Sequence, residues 1–407
     1  MTLIATFMVV VFAYGLVSRR LEQGILTAPI VFTTAGMCIS LLPELPDQRA
    51  NLEVFLTVAE IGLVLLLFAD ASHTDLQLLK SIRNFPARLL TTGMLLTILL
   101  GALGALVLFR QLSIWEAGIL GSILAPTDAG LGQVIVSSER VPVRIRQALN
   151  VEAGLNDGLA VPFLLFFIAL AAPGEQDDSG HLTGFILEQL GYGTAIGLGI
   201  GLAGGWLLGF ADRKKSMTAS FQQMAAVALP LLCAIACEAA GASMFIAAFV
   251  AGLAVQVGFK HVGKHGVEFT EQWGQLLNFS VFFLFGLLVA RSWRDFTAVM
   301  LLYAVLSLTA VRMLPVALAL SGSGLSKASV IFMGWFGPRG LASIVLGLVY
   351  LEHEALLPGE STIRLAVIVT VGLSIFAHGL SAFPGINLYA SKIAALEPAA
   401  PEHQGDP

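Results

Sequence analysis

Hydrophobic residues in this chain do not alternate with polar ones; they run on without interruption. Residues 2–18, 89–109, 189–211, 216–237, 239–259, 272–290 and 365–391 contain no Asp, Glu, Lys or Arg. Most of these runs are long enough for a helix to cross about 30 Å of hydrocarbon, which takes roughly 20 residues. Adding the runs broken by one or two charges predicts thirteen spans, near 3–18, 25–42, 52–69, 88–109, 113–136, 148–172, 184–210, 218–238, 241–259, 272–290, 296–320, 326–351 and 363–386. Membrane-spanning strands would alternate apolar and polar positions over short segments, so runs of this kind predict helices.

Composition agrees with the pattern. The 407 residues are 57% hydrophobic and only 12% charged, with a mean hydropathy of +0.85, where soluble domains carry about 25% charged residues. The fold class expected is an all-α polytopic membrane protein. A net charge of −5 without a basic block excludes nucleic acid as a partner. Cys38, Cys233 and Cys237 cannot build a disulfide framework or a zinc site, and Cys233 and Cys237, four apart on an apolar helix, read as core packing.

Charge then orients the spans. The first apolar run begins at Met1 without a basic segment before it, and Arg19 and Arg20 follow, so it reads as a span and not as a cleaved signal, with the N-terminus outside. The loops then place inside Arg19 and Arg20, Lys80 to Arg88, Arg140 to Arg146, Arg213 to Lys215, Lys260, Lys264, Lys327 and Lys392. These are fifteen of the 22 Lys and Arg, against five outside (Arg49, Arg110, Arg291, Arg294 and Arg364). The acidic stretches at 173–178 and 351–354 also fall outside. This bias is what the positive-inside rule requires, and it predicts a cytoplasmic C-terminus with no soluble domain at either end.

Two spans carry proline among small residues: Gly-Ser-Ile-Leu-Ala-Pro-Thr-Asp-Ala-Gly at 121–130 and Met-Gly-Trp-Phe-Gly-Pro-Arg-Gly-Leu-Ala at 333–342. Pro126 lies 123 residues after residue 3, and Pro338 lies 120 after residue 218. The chain therefore divides into a first six-span repeat (1–172), a linker span (173–215), a second repeat of inverted topology (216–391) and a short tail (392–407). Interrupted spans at matching places in two inverted halves are the best sequence pointer to a transporter's substrate site. Asp128 beside one break and Arg339 beside the other have the signs needed to neutralise opposite ends of half-helices, provided the breaks face each other.

Charges at membrane depth are expensive and mark function by default. The candidates are Asp70, Asp128, Glu152, Asp157, Arg312 and Arg339, with Glu60 and Glu238 less central. Glu152 and Asn156, four apart, share a helical face and read as a hydrogen-bonded structural pair. Asp157 is turned by about 100° from Asn156, toward Gly, Leu and Ala neighbours that solvate it poorly. An ionised carboxylate there must be neutralised, by a proton or by a cation, before a closed state can form. One acid that accepts either, in a protein that reorients only when the acid is occupied, exchanges cation for proton.

At these residues the chain resembles the NhaP-type sodium/proton antiporters of the monovalent cation/proton antiporter-1 group, over nearly its whole length. The matching features are Ala-Pro-Thr-Asp (125–128), Glu-x-x-x-Asn-Asp (152–157), Gly-Pro-Arg-Gly (337–340) and the thirteen spans. The resemblance implies an antiporter fold, a homodimer, an elevator-like movement and transport of Na⁺, or Li⁺ or K⁺, against H⁺, with no cofactor. It also implies an ion site centred on Asp157 and helped by Thr127, Asp128 and Glu152, with Asn156 in the Asn-Asp pair that accompanies electroneutral exchange. Two departures stand out. Ala153 occupies a position where relatives often carry serine or glycine. Relatives often pair a glutamate at the end of span three with the arginine of span eleven, so here Asp70 is the expected partner of Arg312, joined by Asn156, with Glu60 as the alternative. The other readings weighed are an organic-solute symporter on the same architecture, a cation channel, and an intramembrane aspartyl protease using Asp128 and Asp157. The protease lacks its Gly-x-Gly-Asp sequence, and it leaves Arg312 and Arg339 unexplained. His378 reads as structural, and His73, His261 and His265 as loop residues near the cytoplasmic side.

Overall fold

The computed structural model describes residues 2–21, 26–40, 48–73, 85–171, 184, 187–259, 268–352, 357–396 and 401–403. The loop cations Lys80, Arg83, Lys260 and Lys264, with His261, His265, residues 173–178 and residues 353–354, lie outside these, as does the side chain of His73. Regular structure among the described residues is helical throughout. In chain order the helices are α1 (Thr2–Leu21), α2 (Ala28–Ile39), α3 (Gln48–His73), α4 (Phe85–Leu108), α5 (Ile114–Ile123), α6 (Ala129–Val136), α7 (Val143–Ala171) and α8 (Gly193–Arg213). They continue with α9 (Ala219–Ala240), α10 (Met244–Gly258), α11 (Glu268–Ser292), α12 (Ala298–Leu308), α13 (Ala310–Ala319), α14 (Lys327–Trp335), α15 (Leu341–Glu352) and α16 (Glu360–Ile393).

Among the described residues, eight helical stretches are long and apolar enough to cross a membrane, α12 and α13 together forming one of them. The remaining predicted spans hold shorter or interrupted helices, so the count of thirteen rests on the sequence pattern. Spans 113–136 and 326–351 are broken where proline and glycine predicted it. The stretch at 296–320 is broken as well, which the sequence pattern did not indicate: Thr309 sits at φ −108°, ψ −90° between α12 and α13. Its hydroxyl donates to the Val305 carbonyl at 2.6 Å, a back-bond that bends helices, and Pro315 withholds one donor from the following turns.

The helices gather into two groups. In the first, α11 packs on α2 and α3, and α10 packs on α3, α8 and α9; in the second, α4 to α7 pack with α12 to α16. Small residues set the closest approach in the first group. Gly197, Gly201 and Gly205, four apart on α8, lie against Ala247, Ala251 and Val255, four apart on α10, and β-carbons at the glycines would collide with that backbone. Between apolar helices in lipid, such close backbone packing replaces the missing hydrophobic drive. A second apolar core around Phe85, Ile145, Phe332 and Tyr389 closes one end of the other group. There the tail segment Pro401–His403 returns to the start of α14, where Glu402 Oε1 accepts from the Ser326 amide and the Ser329 hydroxyl, both at 2.7 Å.

Candidate functional site

The site is built where the two broken spans meet. Pro126 lacks a backbone donor, and Gly337–Pro338 neither favours nor completes a helical turn; the chain therefore runs extended between α5 and α6 and again between α14 and α15. The two extended pieces bond to each other, the Asp128 amide donating to the Pro338 carbonyl at 2.8 Å. The Asp128 carboxylate then caps two half-helices at once. Its Oδ1 accepts from the Leu131 amide at 2.9 Å, in the first turn of α6, and its Oδ2 from the Leu341 amide at 2.5 Å, the first residue of α15. Each helix N-terminus carries about half a positive charge, so one carboxylate balances the two.

Arg339 serves a helix end of the other sign. It is fully buried, and its Nη1 donates to the carbonyls of Ala125 at 2.6 Å and Pro126 at 3.0 Å, just past the C-terminus of α5. Its backbone amide donates to Ser374 Oγ at 2.7 Å, and Ser374 Oγ lies 3.1 Å from Nδ1 of the buried His378. Nε and Nη2 of Arg339 find no partner, so it is less completely satisfied than Asp128. Two glycines keep this crossing open. A β-carbon at Gly340 would overlap the Asp128 carboxylate, and one at Gly337 would overlap the Arg312 guanidinium.

The expected pairing of Arg312 is corrected here. Its guanidinium binds Glu152 in a two-point bridge, Nη1 to Oε1 at 2.5 Å and Nη2 to Oε2 at 2.9 Å, with both side chains buried. Glu152, and not Asp70 or Glu60, is therefore the carboxylate that holds it. Asp70 packs instead against Gly154 of α7, its Cβ 3.3 Å from where a β-carbon there would lie. The expected pairing of Asn156 changes as well. Asn156 Nδ2 donates to Thr127 Oγ1 at 2.7 Å, which joins α7 to the α5–α6 break, and not to Glu152 one turn below. Both corrections have one cause: a shared helical face brings two side chains near each other, but a fork-shaped guanidinium offering two parallel donors binds a carboxylate more strongly than an amide does.

Asp157 is left differently. It is half-buried, and its Oδ1 is enclosed with no hydrogen-bond partner. Asp128 and Asp70 are the acidic groups that act on it through space. Asn156 Oδ1 and Asn278 Oδ1 are enclosed and unpartnered too, and a buried acceptor without a donor costs about 1–3 kcal/mol. A cavity beside the crossing is lined by Thr127, Asp128, Asn150, Ala153, Phe336 and Pro338. Thr127, Asp128, Asn156 and Arg339 thus converge on the crossing, Glu152 and Arg312 pair beside it with Arg312 Nε left without a partner, and Asp70 and Asp157 belong to the α3–α7 side. Asn278 escaped the sequence reading because it lies in the charge-free run 272–290, and a search for charges passes over a neutral amide.

Comparisons with known proteins bear on the chain as a whole. A sequence profile for the sodium/hydrogen exchanger, transmembrane, matches residues 6–387. A Na(+)/H(+) antiporter of Schizosaccharomyces pombe is 26% identical over 279 residues, 63% of this chain and 58% of that protein. A K(+)/H(+) antiporter NhaP of Alkalimonas amylolytica is 26% identical over 374 residues, 91% of this chain and 63% of that protein. The chain thus spans less than two thirds of the length of these curated relatives. In fold it is similar to the sodium proton antiporter MjNhaP1 of Methanocaldococcus jannaschii, with a TM-score of 0.78 at 20% identity, covering 97% of this chain and 99% of that one.

Proposed function

This chain belongs to the sodium/hydrogen exchanger family, and on that premise we propose that it is an integral membrane antiporter exchanging one monovalent cation, Na⁺, Li⁺ or K⁺, for one proton. The observation that carries the reading is the contrast between Asp157 and the two other acids of the crossing, Asp128 and Glu152. Asp128 is committed to two half-helices, Arg339 to a third helix end, and Arg312 and Glu152 to each other. Asp157 has an enclosed oxygen that nothing in the protein satisfies. A bare charge of this kind costs several kcal/mol in a closed, dry state, so passage through that state requires a cation or a proton on Asp157. A single acid that alternates between the two carries no net charge around the cycle.

In this reading Thr127 and Asn156 hold α7 against the break and offer Thr127 Oγ1 and Asn156 Oδ1 near the ion. Glu152 and Asp128 act chiefly by fixing helix ends and Arg312. Asp70 adds negative potential from α3. The two broken spans belong to inverted repeats (1–172 and 216–391), and an elevator-like movement carries the helix group that holds the crossing past the other group. We place the protein as a homodimer in the plasma membrane, the inner membrane in a bacterium, with its N-terminus outside and its C-terminus cytoplasmic, as the loop cations favour.

Purified protein in proteoliposomes tests this. Na⁺, Li⁺ or K⁺ added on one side should drive proton movement in the wild type, with no effect of an imposed membrane potential. Asp157→Asn should fold, insert and show no exchange. Wild-type-like exchange by Asp157→Asn would remove the core of the reading, and voltage-driven cation accumulation by the wild type would refute one-for-one stoichiometry.

A further inference from the structure

Asn278 stands on α11, the helix that packs on α2 and α3 and so belongs to the other group from the crossing. It is 6% exposed, and its Oδ1 has no partner. A β-carbon on Gly130 would lie 3.0 Å from Asp128 Oδ1 and 3.3 Å from Asn278 Nδ2. The amide nitrogen of Asn278 and the Asp128 carboxylate therefore lie on either side of the place a Gly130 β-carbon would take, with Asn278 Oδ1 enclosed behind, and Gly130 itself is exposed. The gap is narrow and polar on both walls, and one wall is the acid that acts on Asp157.

Amide and carbonyl oxygens replace the hydration shell of an alkali ion without adding charge. That neutrality matters at a site where one acid is matched by one cation: a second free carboxylate would leave the site charged after the ion left, whereas an amide would not. We propose that Asn278, its side-chain amide turned about χ2 so that Oδ1 takes the place of Nδ2 at the gap, is a ligand of the transported cation, supplied from the α2–α3–α11 side. It engages the ion in one access state and parts from it when the two helix groups move past each other. Cation affinity then differs between the two membrane faces. This rests on the antiport reading above and adds to it where one neutral ligand comes from.

The test is the KM for Na⁺ measured at each face, in everted and right-side-out vesicles. Asn278→Leu keeps the branched shape and removes the oxygen; it should raise KM about tenfold at one face and less than about twofold at the other. Asn278→Asp, which restores an oxygen, should bring that KM back to the wild-type value or below. Gly130→Ala fills the gap while leaving Asn278 itself in place, its methyl coming 3.3 Å from Nδ2, and should reproduce the one-sided rise, so it carries the test if the Leu variant does not fold. A purely structural role would change both faces alike. An equal shift at both faces, or none, in a protein that still exchanges Na⁺ for H⁺ would overturn this inference alone. A wild type that exchanges nothing would overturn the antiport reading and this inference with it.

Discussion

Removing either member of the Arg312–Glu152 pair should damage the protein more than removing both. The two groups are 3% and 2% exposed and are joined by two short bonds at 2.5 and 2.9 Å. Truncating one leaves the other charged and buried, which costs about 3–5 kcal/mol, whereas replacing a buried pair by apolar groups of similar size is often neutral. Arg312→Met and Glu152→Leu should each lose about 3–5 kcal/mol, and the double variant should recover at least half of the summed loss. That corresponds to a coupling energy of about 3 kcal/mol or more, at the upper end for residues in direct contact. Unfolding of the four proteins in mixed detergent micelles, followed by tryptophan fluorescence, gives the cycle. The same cycle with Asp70→Asn in place of Glu152→Leu should be additive to within about 0.5 kcal/mol, since Asp70 packs on Gly154 and not on the guanidinium. Strong Arg312–Asp70 coupling together with additive Arg312 and Glu152 effects would refute the pairing.

Gly340→Ala should disturb the crossing, because the added methyl overlaps the Asp128 carboxylate. Loss of the Leu341 cap should cost about 1–2 kcal/mol and most of the transport rate, measured by thermal unfolding and proteoliposome flux; a fully active, fully stable Gly340→Ala would contradict the double cap. Glu402, outside the membrane spans, should make tail docking pH-sensitive. Burial pushes its carboxyl up, but donors from Ser329 and Ser326 more than offset this and hold it below the ordinary glutamate value of 4.5. A depressed folded-state value means that the docking contribution is complete above that ordinary value and is lost as pH falls through the lowered one. Hydrogen-exchange protection of the Ser326 amide should therefore fall at acid pH in the wild type and be weak at every pH in Glu402→Gln. Protection unchanged by pH in the wild type would exclude this role.

What the sequence determined by itself was depth. Charge-free runs give the spans, since carrying Asp, Glu, Lys or Arg into hydrocarbon is costly whatever the neighbours are. The same cost makes Asp128, Asp157, Arg312 and Arg339 conspicuous as soon as they fall inside a run. Pro126 and Pro338 locate two breaks because proline removes a backbone donor wherever it sits in a helix. The break at Thr309 was not legible, because a threonine back-bond is optional and most threonines in helices leave the axis nearly straight. Partnership was decided only by the tertiary structure. Glu152 reaches Arg312 across 160 positions, and Asp128 reaches the start of α15 across 213. Such pairings depend on the rotation and sliding of one helix against another, with a turn of about 100° for each residue. A uniformly apolar run leaves that angle unspecified, since lipid and helix neighbours satisfy its side chains about equally well. Packing of small residues against backbone fixes the angle, and this is why Asn278, invisible along the chain, comes to face Asp128 across the space that Gly130 leaves empty.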